Sequence, residues 1–263
     1  MLDQQVSHRE YFLLRLVRLG MYALLFTPLI VWWRLHAPYD AGKSYFILGV
    51  SELTVLAFIW LCHKNHTWRP RFYAGTVSVL TFVGLLLFVS IFGVDPSFSF
   101  WSSLDHISGG MMWLHLVAIF MIATSVFRTK EDWQKFFFVS TLVAVLVSAF
   151  KLLASVGLEL FFESREGSTF GSSTFFGAYI ILQIFSAMYL ASVNRAFFKW
   201  YGSLAAIFMT LTLFSTDAYA ATLSLMGGLI LFVGLLMSTG ASRVRRRLGH
   251  GLVVCLFVAF VAS

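Results

Sequence analysis

The residues of this chain best placed to do chemistry stand in a short polar island, FFESREGSTFGSSTFFGAYI at 161–180, set between two long apolar runs. Its centre is Arg165. A guanidinium is planar, stays protonated and offers paired N–H donors that match phosphate or carboxylate oxygens. Beside it, GSTFGSS supplies Ser168, Thr169 and Gly171, and backbone N–H groups at the start of the following helix could face the same anion. The chemistry suggested is therefore the binding of an anion, phosphate above all. A plainer reading stands next to it: a polar turn in which Arg165 pairs with Glu163 or Glu166, an interaction worth little at a surface.

Other titratable groups extend the set. Asp105, Glu166 and Asp217 could take a proton from a hydroxyl, and His106 titrates near the pH at which imidazole is most useful. Asp217 follows Ser215 and Thr216 in a tight turn before a helix, so it also reads as an ordinary helix cap. Lys151 falls near the end of an apolar run, where a cation either reaches for the membrane surface or faces a polar cavity and a second phosphate. Glu52 falls mid-run, which implies a protonated carboxyl or a hydrogen bond to another helix, and leaves a proton-relay role open. His115 reads as a hydrogen-bonded packing residue rather than a ligand. FSFW at 98–101 and Trp32, Trp33, Trp60, Trp68, Trp133 and Trp200 read as anchors at lipid head-group level.

What must position these residues is a bundle of helices in a membrane. Hydrophobic residues make up 59% of the 263, charged residues 12%, and the mean hydropathy is +0.83. Apolar runs fall at 12–33, 45–62, 73–93, 110–127, 137–156, 174–193, 201–215 and 218–239, and a ninth begins at 252. They are continuous rather than alternating, and each approaches the 20 or so residues that a bilayer of about 30 Å requires. That excludes strands and predicts an all-α polytopic bundle of about 8–9 spans, one domain over 1–263, with no cleavable leader. The pair 201–239 reads as a hairpin or a kinked helix. Fifteen of the nineteen Lys and Arg residues fall in alternate connections, which predicts a cytoplasmic amino terminus. The net charge of +7 then reflects loops beside anionic lipid rather than nucleic-acid binding. Cys62 and Cys255 lie in or at the ends of apolar runs, so neither a disulfide nor a metal ion is expected, and no cofactor is implied.

Three outward segments, FGVDPSFSFWSSLDHISGGMMWLHL (92–116), REGSTFGSSTFFGAYIIL (165–182) and LFSTDAYAATLSLMGG (213–228), resemble landmarks of the O-antigen ligase and polymerase family. The resemblance extends to FRTKEDWQKFF and to RPR at 69–71. It implies a glycosyltransferase-C-like fold in the bacterial inner membrane. It also implies metal-independent transfer of a glycan from an undecaprenyl diphosphate carrier to an acceptor glycan or glycolipid on the outer face. On that reading Arg165 and Asp217 are catalytic, and Lys151, His106, Ser168, Thr169 and Gly171 bind substrate. The likeness is uneven at charged positions: His106, Ser172 and Tyr219 stand where the family often has arginine, asparagine and arginine. The family's large outer loop, with its histidine and further arginines, is expected after a ninth or tenth span and is not within these 263 residues. A non-catalytic carrier-binding protein, or a transporter built on Glu52, is the alternative.

Overall fold

The computed structural model describes residues 8–103, 107–158, 167–216 and 218–238, with Leu248 and Val253. Arg165, His106, Asp217, Asp105, Glu163, Glu166 and, apart from Val253, the ninth apolar run lie outside them. Among the described residues every regular element is helical: α1 (His8–Leu24), α2 (Ala41–Lys64), α3 (Ala74–Ile91), α4 (Pro96–Trp101), α5 (Gly110–Val126), α6 (Lys130–Ser155), α7 (Ser173–Ala191), α8 (Ala196–Phe214) and α9 (Tyr219–Ser238). Short 3₁₀ turns occupy Thr27–Leu29, His66–Trp68 and Ser168–Phe170.

Each of the eight apolar runs carries one of the longer helices. Six of them, α2, α3, α6, α7, α8 and α9, are long and apolar enough to cross a membrane. The apolar α5 is shorter, at 17 residues, and α1 carries Arg9, Glu10, Arg15 and Arg18. Large apolar side chains point outward all along the helices, with Leu53, Leu85, Leu204 and Leu223 each at least 60% exposed. Water would penalise such a surface heavily, whereas lipid does not. The chain is a multi-pass helical membrane protein.

Local sequence accounts for the helix limits. The run at 12–33 does not continue as one helix: α1 stops at Leu24, and Pro28 enters a 3₁₀ turn that Leu29 packs into the protein. FSFW belongs to α4, which begins at Pro96 with Asp95 Oδ1 accepting from the Phe98 N–H at 2.9 Å. α6 starts seven residues before its apolar run, because Thr129 and Asp132 form a reciprocal capping box. Ala206 on α8 and Leu229 on α9 line one cleft, which sets the two helices antiparallel and resolves 201–239 as a hairpin.

Two packed cores result. One joins α6, α7, α8 and α9 around Val143, Phe176, Ile180, Met209 and Leu213; the other joins α1, α2 and α5 around Val17, Leu61, Ile122 and Val126. In the first, Gly202 lets α8 lie against the backbone of α7, since a Cβ there would come within 2.5 Å of Ala187 O and Ala191 N. Backbone cannot step aside as a side chain can. Gly202→Ala should therefore lower stability by about 1–3 kcal/mol, read as a fall in the thermal midpoint in detergent; an unchanged midpoint would mean that the two helices are not packed this closely.

One end of the bundle gathers the basic connections. Arg18 pairs with Asp132 at 3.3 Å, and Arg195 approaches Glu131 at 3.9 Å. Arg128 donates to Ser125 O at 2.7 Å and to Thr67 O, and its guanidinium lies 4.4 Å from the Trp68 ring centre. Burial, with Arg71 nearby, lowers the Arg128 pKa, yet a guanidinium remains charged at neutral pH. These contacts bring the ends of α1, α2, α5, α6 and α8 that carry basic residues to one face, as alternation of the spans requires.

Candidate functional site

At the opposite end an open groove of about 730 Å³ runs along the seam between the two cores. Its walls are chiefly apolar: Ile47 from α2, Met112, Trp113 and Leu116 from α5, and Phe170 and Phe175 from the island and α7. Its polar rim is Asp40, Lys43 and Ser44, in and just before the first turn of α2.

Lys43 is the tie across the seam. Its Nζ donates to Tyr39 O at 2.5 Å and, 126 residues away in sequence, to Thr169 O at 2.6 Å; it also lies 5.4 Å from the centre of the Phe170 ring. An ammonium has three donors, so one remains for a group in the groove. The island is shaped to receive it. Gly171 has φ +68°, and a Cβ there would meet the Tyr39 ring at 2.5 Å, so only glycine both turns the chain and admits the tyrosine. Ser168 also has a positive φ, 49°, held by a hydrogen bond from its Oγ to Val147 O at 3.0 Å.

That bond sets the island against α6, where Ser148 and Lys151 follow Val147 on the same side of the helix. Lys151 is 5% exposed, so it does not reach for the membrane surface; it is inside the bundle. Ser148, Ser168 and Thr169 are buried with it. Ser148 Oγ, Thr169 Oγ1 and the Tyr179 hydroxyl have no hydrogen-bond partner among the described residues. Tyr179 packs against Phe170, the rings tilted by 37° with centroids 5.0 Å apart. The island thus docks on α6 one turn before the buried Lys151, and its buried hydroxyls and those of α6 and α7 are costly to leave unsatisfied.

A second pair of groups links α2 and α5. His115 Nε2 lies 3.6 Å from Glu52 Oε1, while His115 Nδ1 is 2.8 Å from Met111 O. Glu52 is about 13 Å further along α2 than Lys43, at 1.5 Å per residue. Its side chain is 59% exposed on the outside of the bundle rather than buried within it. The Nδ1 contact fits the hydrogen-bonded packing residue expected of His115, and the approach to Glu52 is additional.

The structure brings together four of the sequence-derived site residues, Lys151, Ser168, Thr169 and Gly171. Arg165, His106 and Asp217 lie outside the described residues. Sequence reasoning missed Lys43, counted only as a loop charge; it expected a partner for Glu52 on another helix but did not identify His115. The available signal for Lys43 was its place in the first turn of an apolar helix, three residues after Asp40. No protein-family model, curated protein or solved structure matches this chain.

Proposed function

We propose that this chain transfers a glycan from an undecaprenyl diphosphate carrier to an acceptor sugar on the outer face of the bacterial inner membrane, in the manner of O-antigen ligases and polymerases. The observation that carries the reading is the seam groove: apolar walls that suit a polyprenyl chain lead to a polar rim at Lys43, backed by the island and the buried Lys151. Asp40 beside Lys43 leaves that rim close to neutral, so a diphosphate needs further cations. Arg165 and Lys151 are the residues assigned to it. Departure of a diphosphate builds negative charge on its oxygens, and fixed cations already aimed at them lower the barrier. Asp217 is assigned as the base for the acceptor hydroxyl, and His106, Ser168, Thr169 and Gly171 contribute to the substrate cradle.

The test is transfer in vesicles that contain the full chain, an undecaprenyl diphosphate-linked glycan and a lipid A-core acceptor, read as a mobility shift of the acceptor. Saturable binding of the carrier without transfer would support a carrier-binding protein instead. Absence of both would overturn the reading.

The Glu52–His115 contact favours a second reading, a proton-linked transporter, because paired ionisable groups within a span commonly mark proton or ion paths. Uptake into vesicles driven by a pH gradient, abolished in Glu52→Gln, is its expected signature. Glycan transfer that survives Glu52→Gln, with no such uptake in the parent, would exclude it.

A further inference from the structure

The basic end of the bundle holds a second groove, unrelated to the seam. It lies between the first turns of α1 and the last turns of α2, has a volume of about 470 Å³, and is lined by Arg9, Phe12, Leu13, Trp60 and Lys64. The two helices run antiparallel here, so their repeats stack the lining in the same order. On α1, Arg9 is at the end and Phe12 and Leu13 follow one turn deeper; on α2, Lys64 is at the end and Trp60 is one turn deeper. Two cations thus stand at the mouth and apolar side chains below them.

Among the described residues Arg9 and Lys64 make no hydrogen bond or ion pair. The acid next to Arg9 is turned toward the loop after α2, where Glu10 Oε1 accepts from Asn65 Nδ2 at 2.7 Å and from Trp68 Nε1 at 3.0 Å, and it forms no ion pair with Arg9 or Lys64 among the described residues. The mouth of the groove therefore carries two cations with no ion-pair partner among the described residues, at the level where α1 and α2 leave the apolar region.

We propose that this groove is a binding site for an anionic phospholipid of the leaflet on the basic side of the membrane. The phosphate sits between Arg9 and Lys64, and one acyl chain lies along Phe12 and Trp60. Charge decides the headgroup. Both cations can donate to the oxygens of one phosphodiester whose headgroup adds no positive charge, whereas a choline headgroup would bring an ammonium toward Arg9 and Lys64. A free phosphate would leave the apolar walls uncovered. The site does not depend on the glycan-transfer reading, because it is at the other end of the bundle.

Native mass spectrometry of the full chain in detergent, titrated with palmitoyl-oleoyl phosphatidylglycerol and with the matching phosphatidylcholine, tests the proposal. Phosphatidylglycerol should bind about tenfold more tightly or better, from roughly 1 kcal/mol for each basic group near a phosphate. In Arg9→Gln/Lys64→Gln the two lipids should bind alike, whereas Lys130→Gln/Lys199→Gln, at other basic positions of the same end, should keep the preference. Equal loss in both double variants would reveal a diffuse charge effect and overturn the site, as would equal binding of the two lipids by the parent. Should the first double variant fail to fold, a phosphatidylglycerol with a photoreactive acyl chain should label the parent at α1 and α2 near Phe12 and Trp60; labelling spread over all helices would equally overturn it.

Discussion

Arg165→Ala should lower the rate of glycan transfer by about 10²–10³-fold, the loss usual when one preorganised donor to a developing anion is removed. The reason lies in the local charge. Asp40 offsets Lys43 at the rim, and two of the Lys43 donors are already committed to Tyr39 and Thr169. The single ammonium donor that remains cannot balance a departing diphosphate. A guanidinium can engage two phosphate oxygens at once, which an ammonium cannot reproduce. Arg165→Lys should therefore recover carrier binding better than turnover. Steady-state transfer and equilibrium binding of the carrier, measured in the same vesicles, separate the two effects. Unchanged turnover in Arg165→Ala would remove the arginine from the mechanism and return it to a surface turn with its neighbouring glutamates.

The helices were legible in the sequence because lipid leaves little choice: continuous apolar runs must satisfy their backbone internally, and each of the eight runs carries a helix. Helix ends were harder to read where polar capping or proline overrides hydropathy. Thr129 and Asp132 extend α6 into a charged loop, and Pro28 closes the first run early. Asp95 followed by Pro96 is a helix start that the aromatic residues after it obscured.

The candidate site was legible in part for a related reason. Periodicity tells which run a residue belongs to, and not which other run faces it. The island drew attention through composition, and Ser168 does meet α6, Thr169 meets Lys43 and Gly171 meets Tyr39. Lys43 gained its meaning only from a carbonyl 126 positions away. Lys151 shows the same limit: near the end of an apolar run, reaching for the surface and facing inward are sequence-equivalent, and the docking of Ser168 on Val147 is what places its neighbourhood inside the bundle.

Lys43→Met should weaken binding of the polyprenyl diphosphate carrier by about 10–100-fold, the range expected for lost hydrogen bonds to a charged group. Methionine keeps the length and apolar contact of the lysine stem, so the change falls on the ammonium alone. Two consequences are superposed. The groove loses its rim cation, and Thr169 O loses its donor, which loosens the island from α2. Lys43→Arg separates them, because it keeps the charge and can still reach a carbonyl while changing the geometry of the fork. If the rim cation matters most, Arg should restore carrier binding and Met should not, with similar thermal midpoints for both. If the tie matters most, Met should lower the midpoint by an amount that tracks the lost affinity, and protease should cut the 167–172 turn sooner. Wild-type affinity in Lys43→Met, with an unaltered midpoint, would mean that the groove is not where the carrier binds, since no other basic side chain lines it among the described residues.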